Sequence, residues 1–369
     1  MFLSIIIPVY NAEKYLAECL NSCLNQDIPH EDYEFICVND GSRDGSAAIL
    51  DHYASRYPNV RVVHKVNAGV SEARNDGFAL ARGTYIWFVD NDDLIHPNAL
   101  SVLQQHVAFH PCEKLIFPYY EFSEELTDEE LAALRNGTLP SSSILCNSVV
   151  WSYLIRKDFL EKHNLLHRSC GPNGASLYGY GVDNLFVYQC SKYLSDVDTI
   201  SAFPFYFYRQ NAASVTRDVS PQAQIARIRE YTHLAAYMSE EYDSLPADSI
   251  HKTSAADLCM VFLRRATFLT AQLPYPSFHT SLQELKEQHL FPTRQLHECT
   301  FSCRQFIEEQ NGMSKLQNML RFYSITRPGM FALASIYRLQ RMKIRLSRFL
   351  RKNPLTKWLF DLKNKLLHR

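Results

Sequence analysis

The stretch YIWFVDNDDLIHP, residues 85–97, joins a run of apolar and aromatic residues directly to three carboxylates. Residues 85–89 have the composition of a buried strand, and Asp90, Asp92 and Asp93 follow it at once. Carboxylates this close repel one another without a cation. The stretch therefore predicts a core strand whose end presents negative charge.

The residues before this strand alternate apolar runs with amphipathic stretches. Three earlier runs have the composition of covered strands: LSIIIPVY (3–10), YEFICVND (33–40) and VRVVH (60–64). The stretches between them repeat apolar residues at helical spacing. This alternation predicts an α/β fold with a doubly wound sheet, in which ligands bind beyond the carboxyl ends of the strands.

Asp90 and Asp92 are the predicted metal ligands. In an extended strand, side chains two positions apart leave the same face, and two convergent carboxylates suit a hard divalent cation, Mg²⁺ or Mn²⁺. The alternative is a turn that caps a helix starting near Pro97. For Asp93 the two interpretations stay open, whereas for Asp90 and Asp92 we favour the metal.

Polar residues also follow the other predicted strands. Asp40 would accept hydrogen bonds from a nucleobase or ribose, although a plain Asp-Gly turn explains that segment better when it is taken alone. Arg74 and Asn75 lie near the start of a predicted helix, where Arg74 would steady a phosphate or base, or would be a solvated charge. The first strand is followed by neither G-x-G-x-x-G nor a P-loop, which disfavours the dinucleotide-binding and P-loop classes.

Taken together, four segments closely resemble family 2 glycosyltransferases of the GT-A fold. They are SIIIPVYN (4–11), VNDGSRDGS (38–46), NAGVSEARNDGFALARGTYIWFVDNDD (67–93) and HPNAL (96–100). The likeness continues more weakly up to residue 216. It implies an inverting enzyme that uses a nucleotide-diphospho-sugar.

The resemblance also implies roles for individual residues. Asp183 would be the general base, and Asp90 and Asp92 would hold the metal and the donor diphosphate. Trp151 would lie near the acceptor, although a buried core position is the more ordinary role for a tryptophan. The substrate-binding residues predicted in this way are Pro8, Tyr10, Asp40, Arg74, Asn75, Asp90, Trp151 and Arg209.

One position departs from the family pattern. The general base usually follows a glutamate, and this chain has Val182 in that place. If the glutamate tunes or orients the base, activity or acceptor choice would differ here. An N-cap role for Asp183 before a helix is compatible with its role as the base.

The 369 residues, 46% of them hydrophobic, predict a large globular body with an extension. We expect a GT-A domain over 1–218, with a donor half at 1–98 and an acceptor half at 99–218. A helical domain would follow at 219–330 and a basic amphipathic tail at 331–369. The ten cysteines form no Cys-x-x-Cys pair and there is no signal-peptide pattern, so we expect buried, reduced thiols in a cytoplasmic protein.

The predicted tail is strongly basic. Its last part, 337–369, holds eleven of the 38 Lys and Arg residues and one of the 39 acidic residues. A basic amphipathic helix suits an anionic membrane surface at the inner face of the cell membrane, but packing on the chain's own helices or a homo-oligomer contact explains it equally well. Nucleic acid is disfavoured as a partner, because no recognised binding motif is present.

The family resemblance therefore implies a glycosyltransferase that would move a sugar from a UDP-sugar to a saccharide or lipid-linked acceptor in cell-surface polysaccharide biosynthesis. The first alternative is a catalytically inert nucleotide-sugar-binding or scaffold subunit, which only the Val182 departure favours. A second alternative, a sugar-nucleotide nucleotidyltransferase, is disfavoured because PVYNAEKY is not a glycine-rich loop.

Overall fold

The computed structural model describes residues 1–123, 127–135, 149–168, 181–211, 218 and 220–272. The chain divides into two compact units, Met1–Leu263 and Arg264–Arg369. The described elements are β1 (Leu3–Val9), α1 (Leu16–Leu24), β2 (Tyr33–Asp40), α2 (Ser46–Arg56), β3 (Val60–Lys65), α3 (Val70–Leu80), β4 (Tyr85–Phe88), β5 (Leu94–Ile95), α4 (Ala99–Phe109), β6 (Lys114–Ile116), β7 (Tyr119–Phe122), α5 (Asp128–Arg135), β8 (Tyr153–Arg156), α6 (Lys157–Lys162), α7 (Val182–Ser191), β9 (Val197–Thr199), β10 (Tyr206–Arg209), α8 (Pro221–Ser244) and α9 (Ile250–Gln272).

A seven-stranded sheet forms the centre of the first unit, in the order β3-β2-β1-β4-β8-β6-β9. The first four strands of the chain pair in parallel, as predicted, and β8 runs antiparallel to both of its neighbours, so the sheet is mixed. Every residue of β1 is buried, because helices cover both faces of the sheet. Ile5 packs with the core beneath α1, α2 and α4, whereas Ile6 packs with the core beneath α3, α6 and α7.

A smaller sheet lies next to the acidic stretch. It has the order β5-β10-β7, and β5 begins directly after Asp93. The ring of Trp151, which precedes β8, stacks on Tyr206 of β10 with 4.6 Å between the ring centroids and on Tyr208 at 5.4 Å. These stacked rings connect the small sheet to the large one.

The acidic stretch is a turn and not a continuation of the strand. β4 ends at Phe88, and the Asp93 backbone N–H donates to the Asp90 carbonyl at 3.3 Å. The prediction that Asp90 and Asp92 share one face of an extended strand is therefore wrong, because a turn directs its side chains differently from a strand. The next helix begins at Ala99 with Asn98 at its N-cap position, so none of the three aspartates caps it.

Helices α8 and α9 pack behind α7. Gly181, just before α7, has φ 76°, and a Cβ there would lie 2.8 Å from the Leu234 side chain and 2.9 Å from Phe262. The start of α7 is thus fixed against both helices. The predicted tail and residues 273–330 lie outside the described residues.

Two further expectations can be compared with the described residues. The cysteines among them, Cys19, Cys23, Cys37, Cys112, Cys190 and Cys259, are all free and buried, as predicted. Among the helices that the structure describes, none combines the length and the apolar character needed to span a bilayer.

The link from α3 to β4 is tightly packed against β1. The Gly83 N–H donates to Ser4 Oγ at 2.8 Å, and Ser4 Oγ donates in turn to the fully buried Glu34 carboxylate at 2.8 Å. Burial raises the pKa of Glu34, but hydrogen bonds from Arg82 and Ser4 outweigh burial and leave that pKa lowered. Glu34 therefore joins β1, β2 and the link before β4 as a charged, hydrogen-bonded group.

Replacing Gly83 with alanine is expected to lower the free energy of unfolding by about 2 to 3 kcal/mol. The new Cβ would lie 2.4 Å from the Ser4 backbone nitrogen, and the backbone of a central strand cannot move aside. Urea denaturation would measure the loss. Gly45→Ala is the matched control, since its Cβ would meet only the flexible end of Glu13 at 2.7 Å. Equal losses in the two variants would contradict this account.

Candidate active site

Arg74 joins two predicted site residues that are far apart in the chain. Its Nη1 donates to Asp183 Oδ1 at 2.7 Å and its Nη2 to Asp90 Oδ1 at 3.1 Å. Burial lowers the pKa of Arg74, but the carboxylates of Asp183 and Asp90 outweigh burial and leave that pKa raised. The guanidinium therefore stays charged and holds the two carboxylates on either side of it.

The position of Arg74 follows from how α3 begins. Asp40 at the end of β2 accepts the backbone N–H groups of Ala68 and Gly69, one on each carboxylate oxygen, both at 2.8 Å. Gly69 has φ 94°, a conformation that suits glycine, and α3 starts at the next residue. Asp40 is 3% exposed and shapes the loop before α3. Its contact with a nucleobase stays a prediction.

Asp93 is the internal member of the acidic turn. It is 1% exposed, and its two oxygens accept hydrogen bonds from the Tyr206 hydroxyl at 2.6 Å and the Arg209 backbone N–H at 2.7 Å. Burial, followed by the charges of Asp92 and Asp90, raises its pKa well above the usual value. Asp93 therefore has a structural role, since its two hydrogen bonds fasten the turn to β10.

Asp90 and Asp92 remain on the accessible side of the turn. About a third of the Asp90 side chain is exposed, at 31%, and Asp92 Oδ2 is 3.4 Å from Asn211 Nδ2. Burial raises the pKa of both carboxyls, that of Asp90 to about 6. The turn as a whole therefore carries negative charge that its neighbours do not fully balance.

This donor set suits a hard divalent cation. Among the described residues, no group of three His, Cys, Asp or Glu side chains is arranged to hold a metal ion. Asp90 and Asp92 would supply two oxygen ligands, and Mg²⁺ characteristically takes one or two carboxylates together with phosphate oxygens and waters. The residues present fit a metal that arrives with a phosphorylated ligand.

Arg209 braces the turn from the side of α1. It is 3% exposed, its Nε donates to the Asp92 carbonyl at 2.7 Å, and its Nη2 donates to Glu18 Oε2 at 2.5 Å. Its guanidinium lies 4.4 Å from the centroid of the Tyr15 ring. Arg209 is therefore brought to the predicted site as a support of the turn, and direct contact with substrate stays a prediction.

Pro8 and Tyr10 lie at the same edge of the sheet. The Pro8 carbonyl accepts the side-chain N–H of Asn91 at 2.7 Å, which ties the end of β1 to the acidic turn. Tyr10 is 45% exposed, an accessible ring at the carboxyl end of the central strand. The next residue, Asn11, accepts the Arg43 backbone N–H at 2.8 Å and joins the loops after β1 and β2.

Arg74 with its two partners, Asp90 and Asp183, is called the Arg74 bridge below. Two predicted residues lie away from it. Asn75 makes two hydrogen bonds to the backbone of His167, at 2.8 and 2.9 Å, on the other side of α3. Trp151 is 6% exposed within the stacked aromatic rings, which is the core position that the ordinary interpretation predicts. Neither contacts Arg74, Asp90 or Asp183 through a hydrogen bond among the described residues.

Residue patterns did not identify Tyr206 or Glu18 as supports of the site. The Tyr206 hydroxyl also accepts the Asp90 backbone N–H at 3.1 Å, more than a hundred positions away in the chain. The aromatic alternation of β10 signals a strand but not its partner.

At the predicted base, Val182 is 1% exposed, so the position that usually carries glutamate is an apolar contact here, and Asp183 is held by Arg74.

Comparison with protein families gives one match over the first half of the chain. The model described as "Glycosyl transferase family 2" matches residues 4–171. The chain is 36% identical over 174 residues to "Uncharacterized glycosyltransferase EpsJ" of Bacillus subtilis (strain 168), a match to 44% of this chain and 50% of that protein. It is 52% identical over 102 residues to "Poly(ribitol-phosphate) beta-glucosyltransferase" of Bacillus spizizenii, or 27% of this chain and 16% of that protein. The chain thus spans half or less of the length of these two relatives.

Among solved structures, the chain resembles S. aureus TarS residues 1–349 in complex with UDP-GlcNAc. The TM-score is 0.57 at 19% identity, and the match covers 88% of this chain and 91% of that one. At this identity the likeness concerns the fold alone. The predicted GT-A fold, a mixed doubly wound sheet followed by helices, is confirmed.

The raised pKa of Asp90 predicts an unusual dependence of stability on pH. An acid whose pKa is about 6 in the folded chain and near its ordinary value of about 3.9 when unfolded destabilises the fold once it ionises. The free energy of unfolding should therefore gain roughly 1 to 2 kcal/mol from this group as pH falls from about 7 to about 4, allowing for the exposed part of the side chain.

Urea denaturation at several pH values would measure this gain in the intact protein and in Asp90→Asn. The amide keeps an acceptor for Arg74 but no longer titrates, so the pH profile of the variant should lose that rise. Asp248→Asn, at an exposed turn before α9, is the control. A profile for Asp90→Asn that matches the unaltered protein would contradict the assignment.

Proposed function

We propose, because residues 4–171 match the model of glycosyl transferase family 2, that the protein is an inverting glycosyltransferase that takes its sugar from a nucleotide-diphospho-sugar. The observation that carries the proposal is the Arg74 bridge, which holds the candidate base Asp183 beside Asp90 of the acidic turn. A base next to a site for a charged leaving group is what this displacement needs.

Asp183 is proposed to act as the general base. Arg74 occupies its Oδ1, which leaves Oδ2 to accept the proton of an acceptor hydroxyl. As that hydroxyl oxygen forms a bond to the anomeric carbon, the bond from this carbon to the diphosphate oxygen breaks and the nucleoside diphosphate leaves. Attack from the face opposite the leaving group inverts the configuration, and a positioned base contributes about 10²- to 10⁴-fold.

Asp90 and Asp92 are proposed to hold Mg²⁺ or Mn²⁺ together with the diphosphate of the donor. The cation would neutralise charge that develops on the departing diphosphate. Arg74 would add a fixed positive charge on the other side of Asp90. Tyr10 and Asp40, at the ends of β1 and β2, are proposed to contact the base and ribose of the donor.

The donor is proposed to be a UDP-sugar and the acceptor a saccharide or lipid-linked glycan of a cell-surface polymer. The TarS structure contains UDP-GlcNAc, and one relative is a poly(ribitol-phosphate) beta-glucosyltransferase. These relatives support the donor class and the polymer setting. The inert-subunit alternative rests on Val182 alone, and no contact in the described residues favours it.

Residues 331–369 lie outside the described residues, so contact of the predicted tail with an anionic membrane, with other helices of the chain or with a second copy stays a prediction. The location at the inner face of the cell membrane depends on that tail and is likewise a proposal.

Changing Asp183 to asparagine is expected to lower the rate of sugar transfer by about 10²- to 10⁴-fold. The amide keeps an oxygen for Arg74 but cannot take up the acceptor proton. Release of nucleoside diphosphate from a panel of UDP-sugars, with acceptor present, would measure the rate. Asp248→Asn is the matched control and should retain full activity. Full activity in Asp183→Asn would overturn the assignment of the base.

Changing Asp92 to alanine is expected to abolish the dependence of donor binding on Mn²⁺. Isothermal titration of UDP with and without the cation would show it, with a drop in affinity of about 10-fold or more for the unaltered protein when the metal is removed. The same metal dependence in the variant and in the unaltered protein would overturn the role of Asp92.

A further inference from the structure

A cavity lies on the other side of α3 from the Arg74 bridge. Its volume is about 590 Å³, within the range of pockets that hold small ligands. Its walls come from α3, the loop after α6, the end of α7 and α8. The residues that matter for its chemistry are Glu72, His163, Gln189, Lys192, Tyr193 and Tyr237.

Gln189 gives this cavity an unsatisfied polar group. The residue is 8% exposed, its Nε2 is 3.4 Å from the Tyr237 hydroxyl, and its Oε1 has no hydrogen-bond partner among the described residues. Exchanging the two ends of the amide would leave the other atom without a partner. A buried amide that lacks a hydrogen bond destabilises the fold, and a hydroxyl group bound in the cavity would supply the missing bond.

Aromatic rings supply the apolar part of the wall. The rings of His163 and Tyr193 are stacked with centroids 4.5 Å apart and planes 19° apart, and Tyr193 is 45% exposed. Tyr237 contributes its ring from α8. The apolar C–H face of a sugar ring packs on such surfaces, while sugar hydroxyls bond to amides and carboxylates.

The lining of the cavity has two acidic residues, Glu72 and Glu241, and two basic residues, Arg168 and Lys192, so these four side chains give it no net positive charge for a phosphorylated ligand. Lys192 is paired with Glu241 of α8, and the Arg168 guanidinium lies over the Tyr237 ring at 5.5 Å. Glu72 makes no ion pair with another described residue and would repel an anion. A carboxylate and an unsatisfied amide in the lining of one cavity are suited to the neutral hydroxyl groups of a saccharide.

The cavity shares two helices with the candidate active site. Glu72 and Asn75 line it from α3, which carries Arg74 between them, and Gln189 lies on α7, the helix that begins beside Asp183. A chain of sugars that leaves the acceptor position along α7 would therefore reach it. The identity of the ligand class rests on the proposed function, whereas the cavity itself does not.

We propose that this cavity binds a neutral saccharide unit, remote from the reacting hydroxyl, of an oligosaccharide acceptor. Gln189 would bond its hydroxyls together with Glu72, and Tyr193 and Tyr237 would pack against its rings. The cavity would thereby select acceptors that already carry several sugars, independently of the donor.

Titration of the full-length protein with maltotetraose, cellotetraose and chitotetraose, followed by saturation-transfer NMR, tests the proposal. We expect at least one of them to bind with a Kd of about 1 to 10 mM. Gln189→Leu and Tyr237→Ala should each weaken that binding about 10-fold, and excess UDP should leave it unchanged. Tyr242→Ala is the matched control, because Tyr242 lies on the same helix but does not line the cavity.

The outcomes separate this proposal from the proposed catalytic function. Absence of binding by all three probes, or binding unaffected by both cavity variants when thermal unfolding shows them folded, overturns the saccharide site. Binding lost in Asp183→Asn but kept in the cavity variants also overturns it, since the probe would then occupy the active site. Loss of sugar transfer in Asp183→Asn with unaffected cavity binding would support both proposals.

Discussion

The ion bridge from Arg74 to Asp90 and Asp183 is the interaction on which the candidate site depends. It joins α3, the turn after β4 and the start of α7, three elements that are distant in the sequence. A buried guanidinium is stable only where carboxylates compensate for its lost hydration, and each carboxylate here benefits from the same cation. Breaking the bridge on any side would leave a charge with too few partners, so the three elements keep their mutual positions.

The acidic turn is built by a division of roles among its aspartates. Asp93 faces the protein and takes two hydrogen bonds from β10, while Asp90 and Asp92 face the accessible side. Arg209 secures the turn to α1 through Asp92 and Glu18. The small sheet therefore holds the acidic turn in place through the hydrogen bonds that β10 donates to Asp93.

Much of this architecture could be predicted from the sequence, because the alternating strands and helices are local patterns. The family resemblance placed Asp90 and Asp183 together, which spacing alone could not do. The geometry of the turn was predicted wrongly, since an apolar run gives no sign of where its pairing stops. Tyr206 and Glu18 escaped prediction for a related reason: their partners lie across the fold, and no local pattern records a contact made between distant segments.

Gly181 links the site to residues that take no part in its chemistry. Its positive φ and the closeness of Leu234 and Phe262 leave no room for a side chain at the start of α7. Helices α8 and α9 thus fix the position of the first turn of α7, which carries Asp183. The faces of α8 and α9 that meet this glycine would have to change in step with it, so a steric contact limits their sequences at this point.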